Sequence, residues 1–357
     1  MVARRTAPDR NTIQDKEGAS PMTGTTAAHR RTLGRSGLSA GAVGLGGWAI
    51  GGHFILDGKP DGWGEVDDAQ SIRAIHLGLE MGASLIDTAD AYGTGHSEEV
   101  IGRALAGRRT DAIVATKFGF THDRATRTLN GIDVSPAYIA RACAASLKRL
   151  ATDHIDLYQI HVGELADDQA DAAGEALEKL AEKGAIRFWG WSTDNAGAAR
   201  RMLKFPHFVA VQQELNVFVD GPEMLALCEE SNLASLNRSP LGMGFLTGKF
   251  GAGARLSPTE VRGAGHGWVR FFREGRPHPE YLRRLDALRA LLQTGGRTLA
   301  QGALGWILAR SPNTFPIPGF KTEAQVRENL AAMEKGPLPA STMAEIDAIL
   351  AEEMEPS

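Results

Sequence analysis

The chain has 357 residues, 43% of them hydrophobic and 23% charged, enough apolar material for one large core. A formal net charge of -4, with no basic block interleaved with aromatics, leaves no electrostatic footprint for nucleic acid. The only cysteines, Cys143 and Cys228, lie far apart with no His or Cys at ligand spacing, so neither a disulfide framework nor a metal site is signalled.

A reducing, cytoplasmic setting is therefore expected, with no membrane association: no run of about 18 apolar residues could span a bilayer, and the N-terminus lacks the apolar core of a secretory signal. Residues 1–28 are polar, rich in Thr, Gly and Pro, and without periodicity. Such a stretch cannot bury enough apolar surface to offset its ordering entropy, so a disordered tail is expected ahead of a folded region at 29–357. Met22 is a candidate alternative start within it.

From there, short apolar runs alternate with amphipathic stretches. Predicted strands are "AVGLG" (42–46), "SLID" (84–87), "AIVATK" (112–117), "IDLYQIH" (155–161), "IRFWGWS" (186–192), "VAVQQE" (209–214), "LASLNRS" (233–239) and "TFPIPG" (314–319). Helical patterns lie between them. At 135–149, Ser135 suits the cap, Pro136 the first helical position, and Ile139, Cys143, Leu147 and Leu150 recur at helical spacing. Eight strand–helix units predict a (β/α)8 barrel forming one domain, with a short N-terminal β-hairpin cap and long loops on the substrate side.

A doubly wound open sheet is the rival. It announces its cofactor with a Gly-rich turn that opens a helix, and "GLGGWAIGG" (44–52) has the wrong spacing for that turn. "GMGFLTGK" (242–249) fails as a phosphate-binding P-loop, because its glycines are misplaced and Phe250 stands where a magnesium-binding hydroxyl belongs.

In such a barrel, chemistry collects at the C-terminal ends of the strands. Four side chains stand there: Asp87 at the end of the second predicted strand, Tyr92 just after it, Lys117 ending the third and His161 ending the fourth. Singly, each has an ordinary explanation as a helix cap, a packed ring, a snorkelling amine or a structural imidazole. Together they complement one another. A neighbouring ammonium lowers the pKa of a phenol, Asp87 can hold Lys117 charged, and His161 can fix a substrate oxygen, which makes a site that protonates an oxygen.

In order along the chain stand "RTLGRSGLSAGAVGLGGWAIGG", "LIDTADAYGTGHSEEVIGRAL", "IVATKFG", "IDLYQIH", "GAIRFWGWS", "VQQELN", "SPLGMGFLTGK" and "IPGFKTEAQVREN". This series, from about Arg30 to Ala332, resembles the aldo-keto reductases. The resemblance implies reduction of an aldehyde or ketone with NADPH, with Asp87, Tyr92, Lys117 and His161 as the catalytic set and no metal. It places Ser192 and Gln212 on the nicotinamide carboxamide, and Ser239, Leu241, Gly244 and Lys249 in the loop under the pyrophosphate. Gly319, Lys321, Thr322, Gln325, Glu328 and Asn329 fall in the segment that grips the adenosine end, where Lys321 beside the ribose would favour a 2′-phosphate. A small-molecule carbonyl compound is the implied partner. The alternative is an NADPH-binding regulatory or redox-sensing subunit with little turnover.

Three positions depart from the commonest pattern. Arg238 stands where many members place an aromatic against the nicotinamide; its guanidinium can also stack, bringing an extra positive charge to the ring. Thr193 replaces an Asn after Ser192, and Trp191 replaces a small aliphatic residue and is expected in the core. Trp48, Phe118 and Trp268 are expected to wall the substrate pocket. The loop 250–280 carries Arg262, Arg270, Arg273 and Arg276, read either as a charged loop closing on cofactor phosphates or as recognition of an oxygen-rich or anionic, sugar-like substrate.

Overall fold

A computed structural model describes residues 29–352; the expectation for residues 1–28 falls outside them. All eight predicted strands form: β1 (Leu45–Gly46), β2 (Leu85–Asp87), β3 (Ile113–Phe118), β4 (Ile155–Ile160), β5 (Ile186–Ser192), β6 (Phe208–Glu214), β7 (Ala234–Arg238) and β8 (Thr314–Pro316). They pair in chain order and in parallel, and a parallel bridge between Gly46 and Gly319 joins the two ends, so the sheet closes into the expected (β/α)8 barrel.

The seam is shorter than the apolar runs predict. Regular pairing there is confined to Leu45–Gly46 and Thr314–Pro316, because Pro316 and Pro318 have no N–H to donate and can only accept, from Gly44 N at 2.9 Å and Gly46 N at 3.0 Å. Closure also needs a bare backbone at Gly46, where a Cβ would lie 2.5 Å from the Ile317 carbonyl oxygen.

Inside the barrel, inward-facing Leu85, Ala115, Leu157, Leu236 and Phe315 form one apolar plug. Its N-terminal end is covered by the anticipated hairpin, Arg30–Thr32 paired antiparallel with Ser39–Gly41, which contributes buried Leu33 and Ala40 to the plug. Outside, the helices lay their apolar stripes on the strands. In the helix Pro136–Leu150, Ser135 accepts from the Tyr138 N–H at 3.3 Å, and Ile139, Cys143 and Leu150 are buried. Trp191 is core, as expected, with its indole N–H on the Val162 carbonyl at 2.7 Å. Among the described residues, no helix is long and apolar enough to cross a membrane.

The C-terminal mouth is roofed by three excursions. After β1, residues 47–67 fold back through a short ladder, Ile55–Leu56 with Lys59–Pro60. After β3, the ladder Phe120–Asp123 with Thr128–Ile132 extends that sheet. After β7, the chain from Ser239 to His278 crosses over and touches the first excursion through Val261 N on the Gly62 carbonyl, 2.9 Å.

Candidate active site

Strand register assembles the floor of the mouth. Lys117 of β3 sits beside Gln159 of β4, and Asp87 of β2 beside Ala115. The Lys117 ammonium is buried and donates to Asp87 Oδ2 at 2.7 Å, to the Thr88 carbonyl at 2.9 Å and to the Tyr92 hydroxyl at 3.1 Å. Its three protons thus have three acceptors. The other Asp87 oxygen accepts from Gln212 Nε2 at 2.8 Å and Gln159 Nε2 at 3.3 Å.

Tyr92 reaches this point because the chain leaves β2 through a tight turn, Tyr92–Gly95, in which Gly93 is left-handed (φ 61°) and a Cβ would meet the Gly51 carbonyl oxygen at 1.9 Å. His161 packs edge-on against Tyr92 and Phe120, with centroids 5.7 and 5.2 Å away.

The charges of this cluster are set by burial and by one another. For Lys117, burial alone would favour the neutral amine, but Asp87 and then Tyr92 outweigh it and raise its pKa, so it stays an ammonium. Tyr92 is also raised: burial is the larger influence and Lys117 opposes it. The expectation of a phenol made more acidic than usual is corrected accordingly, since Lys117 offsets only part of the burial cost. His161 is pushed well below its usual range by burial, then by Lys117 and Arg238, which leaves a neutral imidazole at neutral pH.

Above the floor opens a cavity of about 610 Å³. Asp87, Tyr92, His161, Gln212, Arg238, Ser239, Leu241, Gly244, Lys249, Gly319, Lys321, Gln325, Glu328 and Asn329 line it, as do Trp48 and Trp268. Four expected residues do not, Lys117 among them, because its ammonium is fully buried against Asp87 and Tyr92. Phe118 is fully buried against Tyr158, with centroids 4.7 Å apart, because it alternates with Lys117 and faces the helices. Ser192 is buried and pairs with Gln212 in the sheet, and it does not reach the cavity lining. Thr322 spends its hydroxyl capping the helix Glu323–Lys335, where it accepts from Gln325 N, while the Gln325 side chain accepts from Lys321 N at 2.7 Å and Thr322 N at 3.2 Å.

Other departures also find a physical account. Arg238 is held in ion pairs: Asp194 binds its guanidinium directly, and Glu214 lies 3.6 Å away. Thr193 accepts from Asn195 N at 3.1 Å. Of the arginines in 250–280, Arg262 lies on the cavity wall clasped by Glu260 at 3.0 and 2.8 Å, Arg270 pairs with Glu214 at 3.3 Å, and Arg273 and Arg276 are exposed on a small ladder away from the cavity.

One end of the cavity suits the dinucleotide that the resemblance implies. Lys249, Arg262 and Lys321 converge there. Burial, then Arg262, pulls the Lys249 ammonium below its usual pKa, and burial does the same to Lys321 against the opposing pull of Glu260. Among the described residues no carboxylate comes within ion-pair distance of Lys249, so a phosphate would relieve that strain. Lys321 also donates to the Trp63 and Glu65 carbonyls, tying the first roof excursion to this end. The loop after β7 carries left-handed Ser239 and Met243 (φ 52° and 57°), strained positions of a kind that gather at binding sites, and Gly244 (φ 87°), where glycine adopts that conformation without strain.

Sequence reasoning missed Asp61, Trp63, Gln159 and Glu260. Gln159 had a signal, since it alternates with His161 on the inward face of β4. The others lie on roof loops with no periodicity to mark them.

A fold that closes this barrel over a buried Asp–Lys–Tyr set, with a cationic groove beside it, defines an NADP-dependent oxidoreductase of the aldo-keto reductase type. The Aldo/keto reductase family model matches residues 42–351. The chain is 34% identical over 305 residues to the uncharacterized oxidoreductase YqkF of Bacillus subtilis, covering 85% of this chain and 90% of that one. It is 33% identical over 287 residues to the aldo-keto reductase yakc [NADP(+)] of Schizosaccharomyces pombe, covering 75% and 78%. The solved structure of the glycerol dehydrogenase AKR11B4 from Gluconobacter oxydans superposes with a TM-score of 0.77 at 29% identity, covering 93% of this chain and 98% of that one. The chain belongs to the aldo-keto reductase family, and its cofactor is NADP(H).

Proposed function

We propose that the protein reduces the carbonyl group of a small aldehyde or ketone to an alcohol, with Tyr92 as the proton donor. Bound NADPH supplies the hydride that goes to the carbonyl carbon. The observation that carries the reading is the Tyr92 hydroxyl 3.1 Å from a fully buried ammonium that Asp87 holds charged. As the carbonyl oxygen gains negative charge it takes the phenolic proton. The phenolate left behind faces Lys117, whose charge stabilises it where solvent cannot. Neutral His161, against the Tyr92 ring, can donate a hydrogen bond to the same oxygen without competing as an acid. Gln159 and Gln212 keep Asp87 aimed at Lys117.

The anionic form of the oxygen-rich substrate loses its motive, because Arg262 and Arg270 are already paired with carboxylates. A neutral oxygen-rich carbonyl compound remains in keeping with a similar protein named as a glycerol dehydrogenase. A silent regulatory subunit has no need of the complete proton-donating set.

The test is purified protein with NADPH and a panel of aldehydes, ketones and aldoses, read as loss of NADPH absorbance. Turnover is expected, and Tyr92→Phe should lower kcat by roughly 100-fold or more while NADPH affinity stays nearly unchanged. Near-wild-type turnover by a folded Tyr92→Phe protein would remove Tyr92 from the role.

A further inference from the structure

Arg238 is a cation on the cavity wall that the proton-donating set does not use. It ends β7, and in the closed eight-stranded order β6 and β7 lie opposite β2 and β3, the strands that carry Asp87 and Lys117. Gln212 of β6 spans the barrel to Asp87 at 2.8 Å, so the cavity opens above that contact, with Tyr92 on one side and Arg238 on the other. The charge of Arg238 reaches across: after burial and Lys117, it is the next influence that lowers the His161 pKa. With the carbonyl oxygen at the Tyr92 hydroxyl and the hydride donor within about 3–3.5 Å of the carbonyl carbon, the nicotinamide ring falls between Tyr92 and Arg238.

Two carboxylates hold this guanidinium from behind. Asp194 follows β5, Glu214 ends β6, and Glu214 is the register partner of Arg238 in the sheet. Asp194 binds Nη2 and Glu214 lies 3.6 Å from Nη1, while neither carboxylate lines the cavity. Asp194 Oδ1 also accepts from the Glu214 N–H at 2.7 Å, and Glu214 meets Arg270 of the crossing loop at 3.3 Å. With both Nη atoms engaged at its edges, Arg238 keeps its flat face for a ring. Giving up a hydride turns the neutral dihydronicotinamide into a pyridinium cation. A lone guanidinium against that ring would oppose the new charge, and carboxylates behind it offset the opposition. Glu214, with a side chain 13% exposed, is the less screened of the two; Asp194 is 55% exposed.

We propose that Glu214 and Asp194 are positioning residues for Arg238 that supply the counter-charge for the oxidised ring, and so set how the enzyme divides its affinity between NADP+ and NADPH. The inference rests on the carbonyl-reduction reading, which locates the ring, and adds to it the residues that balance the charge hydride transfer creates.

The test is equilibrium titration of each variant with NADP+ and with NADPH, followed by the fluorescence of the tryptophans that line the cavity, and the readout is the ratio of the two Kd values. Glu214→Gln should raise Kd for NADP+ by about 5-fold beyond any change for NADPH, and Asp194→Asn by about 2-fold. Asp194→Asn, at the more exposed position, stands in if Glu214→Gln does not fold. Arg238→Met should shift the ratio by about 5-fold in the opposite direction, and the double variant Glu214→Gln/Arg238→Met should bring it back to within about 2-fold of wild type. Loss of packing alone would weaken both cofactors together and leave the ratio where it was. An unchanged ratio in Glu214→Gln and Asp194→Asn, or a shift in the same direction for Glu214→Gln and Arg238→Met, would overturn the proposal. No aldehyde enters the titration, so this proposal and carbonyl reduction fail separately.

Discussion

The floor and the roof of the mouth are built on opposite terms. On the floor, three protons of Lys117 meet three acceptors and both oxygens of Asp87 are engaged. On the roof, Asp61 and two indoles are buried with polar atoms that have no hydrogen-bond partner among the described residues. The floor hangs from adjacent strands whose ladder bonds fix each Cβ, so its polar groups can satisfy one another in advance. The roof comes from loops tied together by aromatic contacts and by hydrogen bonds to backbone carbonyls, and some of its polar atoms find no partner.

The comparison breaks most visibly at Lys117. Replacing it with Met leaves the Asp87 carboxylate buried without its cation, which costs about 3–5 kcal/mol of stability, and it deprives Tyr92 of the neighbour that most offsets burial. We expect a lower Tm and, in the protein that remains folded, a fall in kcat of roughly 100-fold or more with the alkaline limb moved to higher pH. An unchanged pH profile where chemistry limits the rate would show that the ammonium does not act on the phenol.

A smaller effect probes the roof. Asp61 is raised from 3.8 to about 7 in the folded chain, so the folded state holds the proton more tightly than the unfolded chain does. Stability contributed by that proton is therefore complete below the unfolded value and is lost as pH rises through the window between the two. Asp61→Asn lacks this dependence. Relative to wild type, the variant should gain stability between about pH 4 and pH 7 by on the order of 2–4 kcal/mol and then level off. Thermal melts across that range, read against Asp57 and His266 as the neighbouring titratable groups, would expose a flat difference if Asp61 had an ordinary pKa.

The smallest effect concerns the cationic end. With Lys249 and Arg262 sharing any phosphate and two Lys321 protons already given to carbonyls, Lys321→Ala should weaken NADPH by about 10-fold and NADH by less. Fluorescence titration with both cofactors decides it: equal losses would mean that Lys321 only ties down the roof.

Much of this molecule was legible in one dimension. Apolar runs at 84–87, 112–117, 155–161, 186–192 and 209–214 announced strands, since a strand buried on both faces has few alternatives to Val, Ile, Leu and Phe. Asp87, Lys117 and His161 at their ends were legible for the same reason, because an ionisable residue terminating such a run is conspicuous. Short-range chemistry also carried through: Ser135 and Pro136 started their helix, and Trp191 went to the core.

What only the tertiary structure decided depends on distance through space. Whether Phe118 faced the pocket turned on which side of β3 Lys117 took, and it went to the helices. The charge of Arg238 was paired with Asp194, forty-four positions away. The net direction of the Tyr92 pKa followed from how deeply it was buried, which no spacing encodes. Asp61 and Trp63 stood in a stretch without period, and they became a wall because Val261 and Lys321, far along the chain, bind the backbone beside them. Periodicity reports a residue's own strand or helix; partners brought by other segments, and the water they exclude, are fixed only when the chain closes on itself.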